Sequence, residues 1–233
     1  DEYISTLKEA FDNRWIDVYP KENKRGGAYS MGVYGVHPFV LDNFVSRKRD
    51  VSTVAHDFGH SMHSYYSSKT QNVIDANDTI MIAEIASTTN ESLLAKYQIN
   101  NETDKNKKAE IIYELLEMIR ATLFRQAMFA EFEKSVHERI ENGEVLSSDD
   151  LSEIYYKLNV EYFGKDCVID EQIKYEWARI PHFYTPFYVY KYATGISAAI
   201  IIATNILAGK VLTLSYQLIH ILILLFSYYF FLL

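Results

Sequence analysis

Apolar side chains recur every three or four residues at the start of the chain, at Ile4, Leu7 and Phe11. This spacing places them on one face of a helix, so we predict a helix within residues 1–18. The pattern stops in the next segment, where glycines alternate with tyrosine and valine. A loop with a short strand or hairpin is therefore expected near residues 25–40.

Helical spacing returns at Ser52 and continues through most of the chain as far as Leu207. Ser52 or Thr53 is expected to cap the first of these helices, because a hydroxyl can accept a hydrogen bond from a free backbone N–H. Capping residues, glycines and prolines then set the later boundaries. They predict a helix over residues 78–98 capped by Asp78, a long helix over residues 104–142 ended by Gly143, a helix opened by residues 147–150, and a last helix after Pro186. The pattern as a whole predicts a mainly α, multi-helix protein with one small β element near residues 25–40.

Composition narrows the class of partner and compartment. The 233 residues are 48% hydrophobic and carry a formal net charge of -8, with lysine and arginine scattered along the chain. Nucleic acid is not expected as a partner, because phosphate binding needs a clustered positive face. Cys167 is the one cysteine, so no disulfide can form within the chain. This fits a reducing, cytoplasmic compartment.

Two histidines four residues apart, His56 and His60, point to metal chemistry. On a helix their imidazoles project from one face, as in the zinc-peptidase motif H-E-x-x-H. Asp57 stands where that motif has Glu. A catalytic zinc site also needs a third protein ligand and an open position for water. The two candidates for that ligand are Glu84, which lies in an apolar stretch where a carboxylate needs a partner, and His63, which shares the helical face.

The same region belongs to a longer series of segments that resembles a known family. The segments are RWIDVY, RGGAYS, YGVHPFVL, AHDFGHSMHSYYS, AEIASTTNE, ATLFRQAMFAEFE and IPHFYTPFYVYKYATGISAA. In this order they resemble oligoendopeptidase F and its relatives among the thimet-like zinc metallopeptidases, over most of residues 10–209. The resemblance implies an almost wholly helical fold with a deep channel. It also implies one zinc ion and internal cleavage of short oligopeptides.

The resemblance assigns roles residue by residue. It makes His56, His60 and Glu84 the zinc ligands, with His63 as a weaker candidate, and it places Asp57 at the position of the general base.

In the second part of the chain, the resemblance implies that His182 and Tyr188 stabilise the oxyanion and that Tyr192 contacts the substrate. Tyr188 and Tyr192 are four apart and are expected to share a helical face. For Tyr184 and Tyr190 we expect core packing instead.

Three departures from the family pattern affect the expected activity. Asp57 is shorter than Glu by one methylene, about 1.5 Å, and a misplacement of about 1 Å can cost a hundredfold in rate. The family's large N-terminal part has no counterpart here, so we interpret residues 1–209 as a partial catalytic domain. The match also ends near Gly209, where the chain becomes uniformly apolar. The alternative function is a weakly active or inactive peptide-binding fragment of such an enzyme, anchored to a membrane if the C-terminal tail is a true anchor.

The apolar tail, residues 210–233, has three interpretations. Residues 211–233 carry no formal charge, counting histidine as neutral, and are long enough for a membrane anchor. A buried core helix would need a large apolar partner surface on every side. We favour a tail translated out of frame, because the resemblance ends so abruptly; a membrane is expected as a partner only if the tail is a true anchor.

Overall fold

The structure is a computed structural model that describes residues 2–77 and 79–210. The apolar segment 211–233 lies outside them, so the anchor, core-helix and frameshift interpretations stay predictions. Within the described ranges, no helix is long and apolar enough to cross a membrane. The chain divides into two compact units, Asp1–Leu115 with Gly195–Leu233, and Leu116–Thr194. The mainly α prediction with a small β element is confirmed.

The first unit begins with a short helix and a three-stranded sheet. The elements are α1 (Glu2–Asp12), β1 (Ile16–Asp17), β2 (Tyr29–Met31) and β3 (Phe39–Leu41). The strand order is β1-β3-β2, with β1 parallel and β2 antiparallel to β3. The predicted strand or hairpin near residues 25–40 is thus present as β2 and β3.

The helix predicted within residues 1–18 is present as α1, and the end of that range forms the short strand β1. The helix α1 ends at Asp12, and Arg14 adopts a left-handed φ of 59° that turns the chain away. Trp15 and Ile16 are then buried in a core with Val40, Phe58 and other apolar side chains. Tertiary burial therefore overrides the local helical spacing at these residues.

Two long helices form the main part of the first unit, α2 (Lys48–Thr70) and α3 (Ile80–Asn101). Contacts between them run in opposite order along the chain. Ser52 meets Glu91 near one end of the pair, and Gly59 meets Ser87 further along. The two helices are consequently antiparallel neighbours, a helical hairpin.

The start of α2 differs from the prediction. It begins at Lys48, and Asp50 accepts hydrogen bonds from the backbone N–H groups of Arg47 and Val45, which lower the pKa of the Asp50 carboxyl. Ser52 and Thr53, the predicted caps, lie inside the helix. The N-cap of α3 is Thr79, whereas the predicted cap, Asp78, falls outside the described residues. At the start of α2, the carboxylate of Asp50 at the third helical position thus takes the capping role that was predicted for the hydroxyl of Ser52 or Thr53.

The long helix predicted over residues 104–142 is present with one irregularity. The segment is helical from Lys105 to Glu141, but it consists of α4 (Lys105–Ile119), a π-helical turn (Arg120–Phe124) and α5 (Arg125–Glu141). Side-chain periodicity cannot reveal a single wide turn of this kind.

The second unit packs α5 against α6 (Ser148–Phe163), followed by 3₁₀ segments at Glu171–Arg179 and Pro181–Tyr184. Ser147 caps α6 as predicted. The core of this unit contains buried residues of α5, of α6 and of the connecting segments that follow: Met128, Phe129, Phe132, Tyr155, Leu158, Ile180 and Val189. The last helix, α7 (Tyr190–Leu207), begins in the second unit and belongs to the first from Gly195 onward. It matches the helical stretch predicted after Pro186.

Candidate metal centre

The α2–α3 hairpin brings together the three side chains that the resemblance names as ligands. Nε2 of His56 and Nε2 of His60 lie 3.0 Å apart. Oε2 of Glu84 lies 3.6 Å from the first nitrogen and 3.8 Å from the second. Two donor atoms from successive turns of α2 and one donor atom from α3 therefore surround a common centre.

This triangle of donor atoms fits a tetrahedral zinc ion. Bond lengths of about 2.0–2.1 Å to nitrogen and oxygen imply donor-to-donor distances of about 3.3 Å. The observed edges of 3.0, 3.6 and 3.8 Å bracket that value. Two imidazoles and one carboxylate also form a donor set that zinc accepts in catalytic sites, where a fourth position is left for water. The residues present thus fit the metal.

His63 is not part of this arrangement. Among the described residues, the group whose possible ligand atoms all lie within 4.8 Å of one another consists of His56, His60 and Glu84. The geometry favours Glu84 over His63, and the ligand assignment stays a prediction.

A glycine allows Glu84 to reach the histidines. A Cβ atom added at Gly59 would lie 2.5 Å from Cα of Ser87 and 2.8 Å from the carbonyl oxygen of Ala86. The backbones of α2 and α3 can approach this closely only because no side chain stands between them. Ser87 also donates a hydrogen bond to Oε2 of Glu84 at 3.1 Å, which orients the carboxylate.

A second carboxylate, which sequence reasoning missed, contacts the other side of the His56 ring. Oε2 of Glu91 lies 3.0 Å from Nδ1 of His56, and Ser52 donates to Oε1 of Glu91 at 2.9 Å. Burial by itself would lower the pKa of His56, but the hydrogen bond and charge of Glu91, with the charge of Glu84, raise it overall. Glu91 follows Glu84 by seven residues, a spacing that places both on one helix face and could have identified it.

Asp57, the predicted general base, is buried with 4% of its surface exposed. Within the described part of the chain, its Oδ2 atom has no hydrogen-bond partner. Burial, with the nearby charges of Asp42 and Glu91, raises the pKa of Asp57 to about 6, although the charge of His56 acts in the opposite direction. A carboxyl group with this pKa can accept and release a proton near neutral pH.

The other predicted site residues meet in the second unit. The rings of His182 and Tyr188 stack with centroids 5.4 Å apart, and Tyr192 lies edge-on to both at 5.9 and 5.6 Å. The Tyr192 hydroxyl lies 3.4 Å from that of Tyr188. Tyr188 and Tyr192 were predicted to share a helical face, but Tyr188 precedes α7. The two rings are nevertheless in contact. Tyr184 is 79% exposed, so the expectation of core packing was wrong for it.

Comparison with known proteins decides the family. Residues 1–215 match the protein-family model described as "Peptidase family M3". The chain belongs to peptidase family M3. This confirms the family resemblance carried by the sequence segments.

Individual relatives support the assignment. Oligopeptidase PepF of Bacillus subtilis (strain 168) is 49% identical over 207 residues, which is 89% of this chain and 31% of that protein. The chromosomal oligoendopeptidase F of Lactococcus lactis subsp. cremoris is 43% identical over 211 residues, 91% of this chain and 35% of that protein. The chain thus spans about a third of the length of these curated relatives.

A solved peptidase structure agrees with the fold. The crystal structure of a Chlamydophila abortus protein matches with a TM-score of 0.84 and 46% identity, and covers 93% of this chain and 37% of that one.

Proposed function

We propose that this chain carries the zinc-binding part of an M3 endopeptidase that hydrolyses short oligopeptides. The observation that carries the proposal is the triangle of donor atoms from His56, His60 and Glu84, whose edges fit one tetrahedral ion. The names of the relatives, oligopeptidase and oligoendopeptidase F, supply the substrate class. The lone free thiol, Cys167, is exposed, which fits a cytoplasmic location.

The proposed roles follow from the chemistry of each side chain. Bound zinc supplies a Lewis acid that polarises the peptide carbonyl and makes a water molecule more acidic. Asp57 takes a proton from the attacking water and later passes it to the leaving amine, for which a pKa of about 6 is suitable. From the family resemblance we further assign His182 and Tyr188 as hydrogen-bond donors to the carbonyl oxygen as it gains charge, and Tyr192 as a substrate contact.

Metal analysis tests the ligand set. The purified chain should hold one zinc ion. Loss of a residue that only hydrogen-bonds to a ligand lowers metal affinity by about 10-fold. Loss of a ligand itself should have at least this effect, so Glu84→Gln should weaken zinc retention by about 10-fold or more. His63→Ala is the control from the same helix and should have a smaller effect. A site emptied by His63→Ala but kept full in Glu84→Gln would reverse the assignment.

A second candidate function is a peptide-binding fragment with little activity, favoured by the aspartate at position 57. A quenched fluorescent peptide, assayed with and without a chelator, separates the two. We expect low chelator-sensitive activity that rises in Asp57→Glu at unchanged zinc content, because the longer side chain moves the carboxylate toward the reacting water. Since the chain spans about a third of the length of its relatives, the substrate in this assay should be a short peptide that needs few contacts away from the zinc site. Equal rates for the two forms would show that the backbone already compensates for the missing methylene.

A further inference from the structure

Glu91 is placed where it can control the orientation of His56 without binding metal itself. It lies on α3, two turns from Glu84 on the same helix face, and its side chain is 19% exposed. Its two oxygens contact two residues one turn apart on α2, Nδ1 of His56 at 3.0 Å and the hydroxyl of Ser52 at 2.9 Å. The carboxylate is thus held at both ends.

The contact fixes which ring nitrogen of His56 carries hydrogen. An ionised carboxylate can only accept, so Nδ1 must be the donor. The lone pair of neutral His56 is then on Nε2, the atom that lies 3.0 Å from Nε2 of His60 and 3.6 Å from Oε2 of Glu84. Glu91 therefore acts on the ring from the side opposite to the candidate metal position. A histidine that ligates a metal is usually oriented and made more basic in this way.

We propose that Glu91 is a positioning residue that sets the tautomer and orientation of His56 for zinc, with Ser52 holding Glu91 in place. The zinc part of this inference rests on the proposed function. The tautomer part does not, because it rests only on the contact between Nδ1 of His56 and Oε2 of Glu91.

The matched control is the neighbouring residue Asn90. Its side-chain amide also joins α3 to α2, by donating to the carbonyl oxygen of Ala55 at 3.2 Å, and it bonds to the hydroxyl of Tyr3. It touches none of the candidate ligands by these bonds. Asn90→Ala therefore removes an interhelical bond of the same kind and leaves the His56 contact in place.

Two measurements on the full chain test the proposal. The first is the zinc dissociation constant, from competition with a chromophoric chelator. We expect about 10- to 100-fold weaker binding in Glu91→Ala, a smaller loss in Ser52→Ala, and wild-type affinity in Asn90→Ala. Glu91→Gln keeps an amide oxygen that can accept from Nδ1 but lacks the charge, so its loss should lie between those of the wild type and Glu91→Ala.

The second measurement is the side-chain nitrogen NMR spectrum of the metal-free chain at about pH 9, well above the ordinary pKa of histidine. The signal of His56 is assigned by its loss in His56→Gln. It should show hydrogen on Nδ1 in the wild type, Glu91→Gln and Asn90→Ala, and a shift toward hydrogen on Nε2 in Glu91→Ala. A purely structural role would not change this tautomer.

The outcomes are distinct. Unchanged zinc affinity and an unchanged tautomer in Glu91→Ala would overturn the inference while leaving the zinc site intact. Equal zinc losses in Glu91→Ala and Asn90→Ala would also overturn it, because general loosening of the hairpin would then explain both. A wild-type chain that binds no zinc would overturn the proposed function, and the tautomer measurement would still decide the role of Glu91. Where Glu91→Ala does not fold, Glu91→Gln carries the zinc comparison. The wild-type spectrum then carries the tautomer test, since hydrogen on Nε2 of wild-type His56 would overturn the inference.

Discussion

Replacement of Gly59 by alanine should weaken both the α2–α3 hairpin and its hold on zinc. The added Cβ would lie 2.5 Å from Cα of Ser87, 2.8 Å from the oxygen of Ala86 and 2.9 Å from the nitrogen of Ser87. All three are backbone atoms, so no side chain can swing aside. Ordinary contact begins at 3.4 Å, and the helices must therefore separate by about 0.9 Å, the difference between 3.4 and 2.5 Å.

The energetic cost follows from two opposing terms. Overpacking costs about 1–3 kcal/mol, and a clash with unyielding backbone belongs at or above the upper end of that range. Alanine is favoured over glycine inside a helix by about 1 kcal/mol, which offsets part of the strain. We expect a net loss of about 2 kcal/mol in the free energy of unfolding, measured by denaturant titration in the presence of a chelator.

The zinc site should respond more strongly. His56 and His60 both belong to α2, so their 3.0 Å spacing is kept. The distances to Glu84, now 3.6 and 3.8 Å, would lengthen by up to about 0.9 Å, whereas ligand distances in metal sites hold to about 0.2 Å. Loss of an outer-shell partner already costs about 10-fold in metal affinity, so displacement of a ligand should cost at least that.

The control for Gly59→Ala is Gly195→Ala, another buried helical glycine beside Glu84. A Cβ there would lie 3.7 Å from Cβ of Glu84 and from the oxygen of Met81, which is ordinary contact. This variant should keep its zinc affinity and lose no stability. If Gly59→Ala binds zinc as tightly as Gly195→Ala, the close approach of the helices does not position Glu84.

Three further changes test the second unit. Ser147→Ala should lower the free energy of unfolding by about 1 kcal/mol, since Ser147 caps α6 by accepting from the backbone of Asp150. Asp150→Asn should lower the free energy of unfolding at neutral pH and have no effect in acid. Hydrogen bonds from the Ser147 hydroxyl and backbone lower the pKa of Asp150. The ionised carboxylate therefore stabilises the fold above its ordinary pKa, and this contribution is lost as the pH falls. Thermal melts at a series of pH values measure the difference. Tyr155→Phe should cost about 1–3 kcal/mol, because the fully buried Tyr155 donates to Glu176 at 2.7 Å; Tyr162→Phe, which removes a similar bond from an exposed tyrosine, should cost less.

Helix positions could be predicted from the sequence because they depend on local periodicity and capping. Ser147 and the stretch from Lys105 to Glu141 are examples. The short strand β1 could not, because Ile16 joins the sheet through its pairing with Val40, a residue far along the chain. The displaced start of α2 has a similar cause, since Ser52 bonds to Glu91 on the facing helix instead of to its own N-terminus.

The candidate site divides in the same way. The spacing of His56 and His60 is a local signal, and it predicts a metal only together with His63 on the same face and Glu84 in an apolar stretch. Their partners Glu84 and Glu91 depend on how closely α3 approaches α2, which is set by one glycine with backbone on its far side. The candidate ligands could be named from the histidine spacing and the family resemblance, whereas Glu91, which contacts the first histidine, was identified only in the packed hairpin. Every residue of this arrangement lies between Ser52 and Glu91, so zinc affinity should depend on the packing of α2 against α3. The variants at Gly59 and Glu91 should weaken zinc binding in two different ways. Gly59→Ala displaces the ligand Glu84, whereas Glu91→Ala removes the hydrogen bond that orients the His56 ring.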